Sequence, residues 1–336
     1  MNHPALLFTQ KDDHTVECHL CAHRCVIKDQ NYGICGVRQN QNGQLITHAY
    51  GEVIAAHVDP IEKKPFYHVL PGSRSFSIAT YGCNFRCDFC QNWQISQIRG
   101  EAMQQGHLRA LSPDDIVQEA LTHKCQSIAY TYTEPTIFFE YALETAKLAQ
   151  QKNLLNLFVT NGYMTTEAIE LLAPYLDAAN IDLKSFSDTF YQQNCKAHLQ
   201  PVLETIQTMH HQGIWIEITT LIIPGLNDSE QELHDIAAFI KSIDTDIPWH
   251  ISRFHPDYQQ TTLAPTPIET LQKAKEIGQS HDLSYVYLGN VANEPNMLCP
   301  HCDKILVQRT GFSLGKNNIR EGKCKFCGHT IAGLFS

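Results

Sequence analysis

Long apolar runs are missing from this chain. No stretch of its 336 residues reaches the roughly 18 consecutive apolar positions of a bilayer-spanning helix. Residues 1–11 also lack a charged stretch followed by an apolar core, so no secretory leader is expected and the chain reads as cytosolic. Positive charge is scarce: 25 Lys and Arg against 35 Asp and Glu leave a formal net charge of −10. That excludes a general polyanion binder, which carries a basic face or stripe. Neither a membrane nor nucleic acid is therefore expected as the main partner, although local Lys or Arg contacts to a small anion remain compatible. Charged residues make up 18% and hydrophobic residues 43%, a balance that excludes disorder and supplies a core. Repeats of solenoid period are absent. At about 100–200 residues per domain, the length suggests two domains, or one large α/β domain with an appendage.

Cysteine, by contrast, is plentiful. Disulfides are disfavoured in the cytosol, so clustered thiols there point to metal or redox chemistry. Eleven of the 13 cysteines fall into three groups. Cys18, Cys21, Cys25 and Cys35 form the first, Cys83, Cys87 and Cys90 the second, and Cys299, Cys302, Cys324 and Cys327 the third. Cys125 and Cys195 stand apart.

The spacing of apolar and turn residues sorts the chain into three parts. Residues 1–72 are rich in turn formers and read as a small cap, with a strand expected over 50–58. From residue 73 to 293 strands and helices alternate. Strands are expected over 75–81, 127–131, 155–160, 179–183, 214–223, 249–254 and 284–288. The intervening helices include one that opens on Ser112-Pro113-Asp114-Asp115, an N-cap followed by Pro and first-turn acids. Repeated βα units imply a parallel sheet, open or barrel-like, whose sites lie at the strand C-termini. Cys83, Glu134, Asn161, Lys184 and Asn290 fall at those ends. Residues 294–336 are rich in Cys, Gly and Lys and read as a small appended module.

The central cysteines read Cys83-Asn84-Phe85-Arg86-Cys87-Asp88-Phe89-Cys90, on the loop leaving the first strand of the series. Three thiolates on one loop can bind three irons of a [4Fe–4S] cluster. Such clusters usually have four cysteines, so one iron is left open. Open coordination positions are where metals do chemistry. The plainer reading is a structural site whose fourth cysteine lies elsewhere. A zinc hydrolase fails on ligand type, because the trio is all thiolate, with no catalytic His or carboxylate beside it.

This motif, with Phe89 before its last cysteine, resembles the signature of the radical SAM superfamily. The resemblance implies a partial (β/α)6-type barrel. It also implies that the open iron chelates S-adenosylmethionine (SAM), which is cleaved to a 5′-deoxyadenosyl radical that takes hydrogen from a substrate. Further segments match. Tyr132-Thr133-Glu134-Pro135 is similar to the family's GGEP motif, with both glycines replaced. Asp182-Leu183-Lys184 is similar to the DLK segment of the branch that activates glycyl-radical enzymes, and Phe254-His255 to a His lying over SAM in that branch. By this resemblance Tyr81, Phe89, Thr133, Glu134, Asn161, Asp182, Lys184, His255 and Asn290 contact the cofactor. More narrowly, the chain resembles the radical SAM enzyme of the AmmeMemoRadiSam system, akin to pyruvate formate-lyase-activating enzymes. The features are Cys18 to Cys25 with Cys35-Gly36-Val37-Arg38, Asp59-Pro60-Ile61-Glu62-Lys63-Lys64-Pro65, His250 to Tyr258 and Tyr285 to Val291. That resemblance implies partners of the Memo and AMMECR families and an electron donor such as flavodoxin or ferredoxin. It names no substrate, which is open to be a protein; activation of a glycyl-radical enzyme is the alternative.

The C-terminal group is two C-x2-C knuckles separated by 21 residues, the pattern of a zinc ribbon, with iron as the lesser alternative. The N-terminal group, C-x2-C-x3-C-x9-C, fits a structural zinc on the fewest assumptions or a second [4Fe–4S] cluster. Cys125 reads as a buried thiol. Cys195 reads as a core thiol or as a catalytic hydrogen or proton donor. Tyr132, Tyr258 and Tyr287 are candidates for a substrate pocket. A competing reading of the whole chain is a non-catalytic ribbon scaffold or adaptor, with Lys304, Arg309, Lys316, Arg320, Lys323 and Lys325 as its basic face.

Overall fold

Strands flanked by helices bury both faces, so they lose the polar alternation of an exposed sheet. Arg74–Thr80 is buried at every residue but its first, and Ser127–Tyr130 throughout. The computed structural model describes residues 3–11, 13–98, 108–292 and 295–335. These strands belong to a nine-stranded sheet. Seven of its strands run parallel, in chain order from Arg74–Thr80 through Ser127–Tyr130, Leu155–Thr160, Ala178–Asp182, Trp215–Ile222 and Trp249–Arg253 to Val286–Gly289. The helices Pro113–Thr122, Phe139–Gln150, Thr166–Leu172, Leu199–His211, Glu230–Ile243 and Ile268–Ser280 connect them. The result is six βα units and a seventh strand, with both sheet edges left open among the described residues. The expected partial barrel is thus the fold.

Helix starts follow the local chemistry read above. Ser112 and Asp115 form a reciprocal capping box on Pro113–Thr122. The helix Phe139–Gln150 is preceded by a tight 3-10 turn, Pro135–Phe138, capped by the Glu134 side chain, which accepts the Thr136 N–H.

The two faces of the sheet have different partners, as the period of two requires. Ile128, Phe158 and Ala179 belong to the large apolar cluster that also takes in the helices. Their neighbours Ala129, Leu157 and Ala178 pack with Ile61, Phe66 and Val69, so the 61–70 segment fills one end of the inner face. The main sheet begins before residue 73: Glu52–Pro60 pairs antiparallel with Arg74–Thr80, and Arg109–Ala110 pairs beyond it. The rest of the N-terminal part is two small three-stranded sheets.

The C-terminal module is a three-stranded sheet, Met297–Leu298, Ile305–Thr310 and Ser313–Asn317, with a short hairpin. It docks through Arg309, which is fully buried against Glu62 and donates to the Tyr67 carbonyl at 2.7 Å. Arg309 therefore leaves the basic face on which it was expected. Beneath this contact the buried Glu217 carboxylate accepts the Tyr67 and His68 N–H groups and lies 2.6 Å from His250 Nε2. Burial pushes Glu217 up, but these partners outweigh it and hold the carboxyl below its ordinary range. The boundary expected between residues 293 and 294 lies outside the described residues. No helix among the described residues is long and apolar enough to cross a membrane.

Candidate active site

Strand ends on one side of the sheet enclose a cavity of about 550 Å³. The loop after Arg74–Thr80 brings Cys83, Cys87 and Cys90 to its wall, with Phe85 and Phe89. The loop leaves the strand at Gly82, whose φ is +90°. A Cβ there would meet Val37 Cγ1 at 2.9 Å and the Cys35 carbonyl at 3.0 Å, so only glycine fits. The loop is held from behind as well. The N–H groups of Arg86 and Asp88 donate to the carbonyls of Cys195 and Asn194, on a wide π-type turn, Tyr191–Cys195. The thiols have polar company: the Phe85 N–H donates to Cys83 Sγ at 3.3 Å, and Ser96 Oγ lies 3.2 Å from Cys90 Sγ.

The next strand ends supply the facing wall. Thr133 donates its hydroxyl to the Thr80 carbonyl at 2.8 Å, tying two strand ends together. Glu134 Oε1 accepts from Thr136 N–H, Thr136 Oγ1 and Thr160 Oγ1, and Oε2 accepts the Asn161 N–H at 2.7 Å. Burial still pushes this carboxyl above its ordinary range. Asn161 Nδ2 donates to Asn84 Oδ1 at 2.7 Å, fixing it beside the cysteine loop. Lys184 Nζ donates to Asp182 Oδ2 at 2.8 Å, and both line the cavity.

Of the residues expected at the site, Cys83, Cys87, Cys90, Phe89, Thr133, Glu134, Asn161, Asp182 and Lys184 line the cavity together. His255 and Asn290 do not; both are exposed and touch it through lining residues. His255 Nδ1 lies 3.3 Å from Gln91 Nε2, and Asn290 Nδ2 donates to Ser252 Oγ at 2.9 Å. Tyr81 faces the other way, donating its hydroxyl to the His48 carbonyl. Cys195 is fully buried against Cys87 and is not a lining residue. Tyr132 lines the cavity, but Tyr258 stacks on Trp93 and Tyr287 meets His68 at the far end of the sheet.

The site also holds a group to which the residue reading gave no role. Lys63, Lys64 and Pro65 line the cavity from the 61–70 segment. The Asp59 carboxylate receives Lys63 Nζ at 2.8 Å, Lys64 Nζ at 2.6 Å and the Tyr132 hydroxyl. Lys64 Nζ also stands 4.1 Å above the Tyr132 ring. Burial pulls Lys64 down to about 8. Burial pushes Asp59 up, but the two lysines and the tyrosine outweigh it and hold the carboxyl below its usual range. Tyr132 has a φ of +63°, strain of the kind stored at functional sites. The signal in the sequence was Asp59 with lysines four and five residues on; only the sheet places Tyr132 between them.

The cysteine groups differ in spacing. The four C-terminal sulfurs lie within 4.8 Å of one another, with Cys299–Cys327 at 3.7 Å and Cys302–Cys324 at 3.8 Å. Four sulfurs at about 2.3 Å from one zinc stand about 3.8 Å apart, so this group can hold a single tetrahedral metal ion. Among the described residues, neither the central trio nor the N-terminal group brings three sulfurs within 4.8 Å of one another.

Comparison with known proteins agrees with this geometry. The family model described as Radical SAM superfamily matches residues 77–240, which contain the trio, Glu134, Asn161, Asp182 and Lys184. Uncharacterized protein MJ0808 of Methanocaldococcus jannaschii is 41% identical over 332 residues, 97% of this chain and 98% of its own length. The putative glycyl-radical enzyme activating enzyme MJ1632 of the same organism is 27% identical over 229 residues, 66% of this chain and 80% of its own. A radical SAM methyltransferase from Sphaerobacter thermophilus shares the fold, with a TM-score of 0.52 at 13% identity over 85% of this chain and 76% of that one. With its sheet, its cysteine loop and these likenesses in agreement, the chain belongs to the radical SAM superfamily, whose fold implies a [4Fe–4S] cluster and SAM.

Proposed function

We propose that the protein cleaves SAM reductively and uses the cleavage to take a hydrogen atom from a substrate carrying an anionic group. The observation that carries this reading is the convergence of three thiols from one loop with Glu134, Asn161 and the Asp182–Lys184 pair on one cavity. Cys83, Cys87 and Cys90 would hold the cluster. Bound together, cluster and SAM supply one-electron cleavage of a C–S bond and hydrogen abstraction.

The chain's own residues bind and orient. The Phe85 N–H and the Ser96 hydroxyl stabilise thiolate charge on Cys83 and Cys90. Glu134 is held rigid by four donors, three of them on Oε1. Oε2 keeps acceptor capacity for the ammonium group of SAM. Lys184 has two further N–H donors to offer a carboxylate beyond its bond to Asp182. Across the cavity, two lysines share one carboxylate, Asp59, which leaves a surplus positive charge. That surplus suits a carboxylate or phosphate on the substrate.

Activation of a glycyl-radical enzyme is a second reading, supported by the names of two relatives, MJ1632 and MJ1227. The motif series supports assignment to the AmmeMemoRadiSam system, and the C-terminal spacing supports zinc there. The test is anaerobic. The chain is reconstituted with iron and sulfide, reduced with dithionite, given SAM and assayed for 5′-deoxyadenosine beside Cys87→Ala. Product from the wild type and none from the variant is expected. An iron-loaded wild type that yields none, alone or with a soluble cell extract, overturns the reading.

A further inference from the structure

The four N-terminal cysteines have no part in the site above. Cys18, Cys21, Cys25 and Cys35 surround one pocket, lined also by Gly33, Arg38, Thr136 and Ile137. Three observations mark it as a ligand site of a particular kind. First, among the described residues no three of these sulfurs share the 4.8 Å spacing of the C-terminal four. They resemble the central trio in this, and a single tetrahedral ion would draw them closer. Second, the chain runs close past two of the thiols at Gly33, where a Cβ would stand 3.3 Å from Ile27 Cδ1, 3.7 Å from Cys25 Sγ and 3.8 Å from Cys35 Sγ. Third, the Arg38 guanidinium is 1% exposed, pairs with the buried Glu140 carboxylate and donates to Cys18 Sγ at 3.4 Å, while its Nε has no protein partner.

The pocket also abuts the cysteine loop of the active site. The Cys35 carbonyl lies 3.0 Å from where a Cβ on Gly82 would stand, and Gly82 precedes Cys83. His23, between Cys21 and Cys25, places Nε2 2.8 Å from the Asn84 carbonyl. Arg86, between Cys83 and Cys87, donates to the Ile34 carbonyl. On the other side the site approaches solvent: Val26 and Ile34, adjacent to two of the cysteines, are 67% and 44% exposed.

We propose that this pocket holds a second [4Fe–4S] cluster, one thiolate on each iron, that relays electrons to the active-site cluster. A reduced low-potential one-electron carrier, a flavodoxin- or ferredoxin-type protein, gives one electron to the N-terminal cluster. That cluster passes one electron to the cluster on the trio. No bond forms or breaks and no proton moves. The identity of the site is independent of the function proposed above, whereas the relay rests on it.

Two measurements test the proposal separately. In the full chain carrying Cys83→Ala, Cys87→Ala and Cys90→Ala, reconstituted anaerobically, iron, acid-labile sulfide and zinc are counted. About four irons and four sulfides per chain are expected, with a reduced-state electron paramagnetic resonance signal that SAM leaves unchanged. Zinc in the N-terminal group, or no iron with sulfide, overturns the site. In the chain carrying Cys21→Ser and Cys25→Ser, the trio's iron content reports that the fold survives. Dithionite-driven SAM cleavage is expected to persist while cleavage driven by reduced flavodoxin is lost. Undiminished flavodoxin-driven cleavage overturns the relay and leaves the counted cluster standing.

Discussion

Replacing Lys64 with Met should make the protein more stable, although it deletes one side of a buried ion pair. Lys64 is 3% exposed, and burial takes its ammonium group from 10.5 to about 8 even with Asp59 at 2.6 Å. Below pH 8 both the folded and the unfolded chain hold the proton, and the folded chain bears a constant cost of about 3 kcal/mol. Between pH 8 and 10.5 the folded chain has released the proton while the unfolded chain still binds it. The stability of the wild type therefore climbs with pH across that window. Lys64→Met removes the cost and the climb together. Asp59 is not orphaned, because Lys63 at 2.8 Å and the Tyr132 hydroxyl remain. Met also keeps most of the length and the apolar character of the lysine stem. The assay is anaerobic chemical denaturation of the reconstituted protein at pH 7 and at pH 9.5. The variant should gain about 3 kcal/mol at pH 7 and a smaller margin at pH 9.5. A variant that is less stable than the wild type at pH 7 would refute the reasoning, since the Asp59 attraction would then outweigh desolvation. A residue that destabilises its own fold in this way is retained for function. Substrate-dependent turnover should fall while SAM cleavage without substrate persists.

Other perturbations test other contacts. Glu134→Gln places an amide against the donors that fix the carboxylate, and should cost about 1–3 kcal/mol and weaken SAM binding by about tenfold or more, read by equilibrium dialysis. Gly82→Ala meets Val37 and Cys35 in a left-handed backbone conformation; a cost of about 1–3 kcal/mol and reduced iron per chain are expected from metal analysis. Arg309→Met leaves Glu62 buried without its partner and should cost about 3–5 kcal/mol in chemical denaturation, most of it recovered by adding Glu62→Leu. Cys302→Ser should release the metal of the C-terminal group and lower the unfolding temperature, while the trio's iron content stays unchanged.

By itself the sequence carried the strand and helix series, because buried parallel strands and capped helices are written in local patterns. Leu155–Thr160 lies where the pattern places it, and Ser112 caps the helix it was expected to cap. The cysteine loop was legible for the same reason, since three cysteines within eight residues need no folding to be neighbours. Glu134, Asn161 and the Asp182–Lys184 pair were legible because consecutive parallel strands must end on one side. The remainder depends on distance in the folded chain. Tyr81 and Cys195 lie near cavity residues in sequence or contact, yet the direction of each side chain is set by what packs behind the loop, the His48 carbonyl and Cys87. Asp59, Lys63, Lys64 and Tyr132 meet only because the 61–70 segment enters the sheet's inner face, a long-range packing choice with no local signature. The burial of Arg309 depends on Glu62, 247 residues away. Spacing along the chain made the outer cysteine groups look alike, whereas separation in space sets one apart from the other: a folded distance decides whether four thiols can close on a single ion.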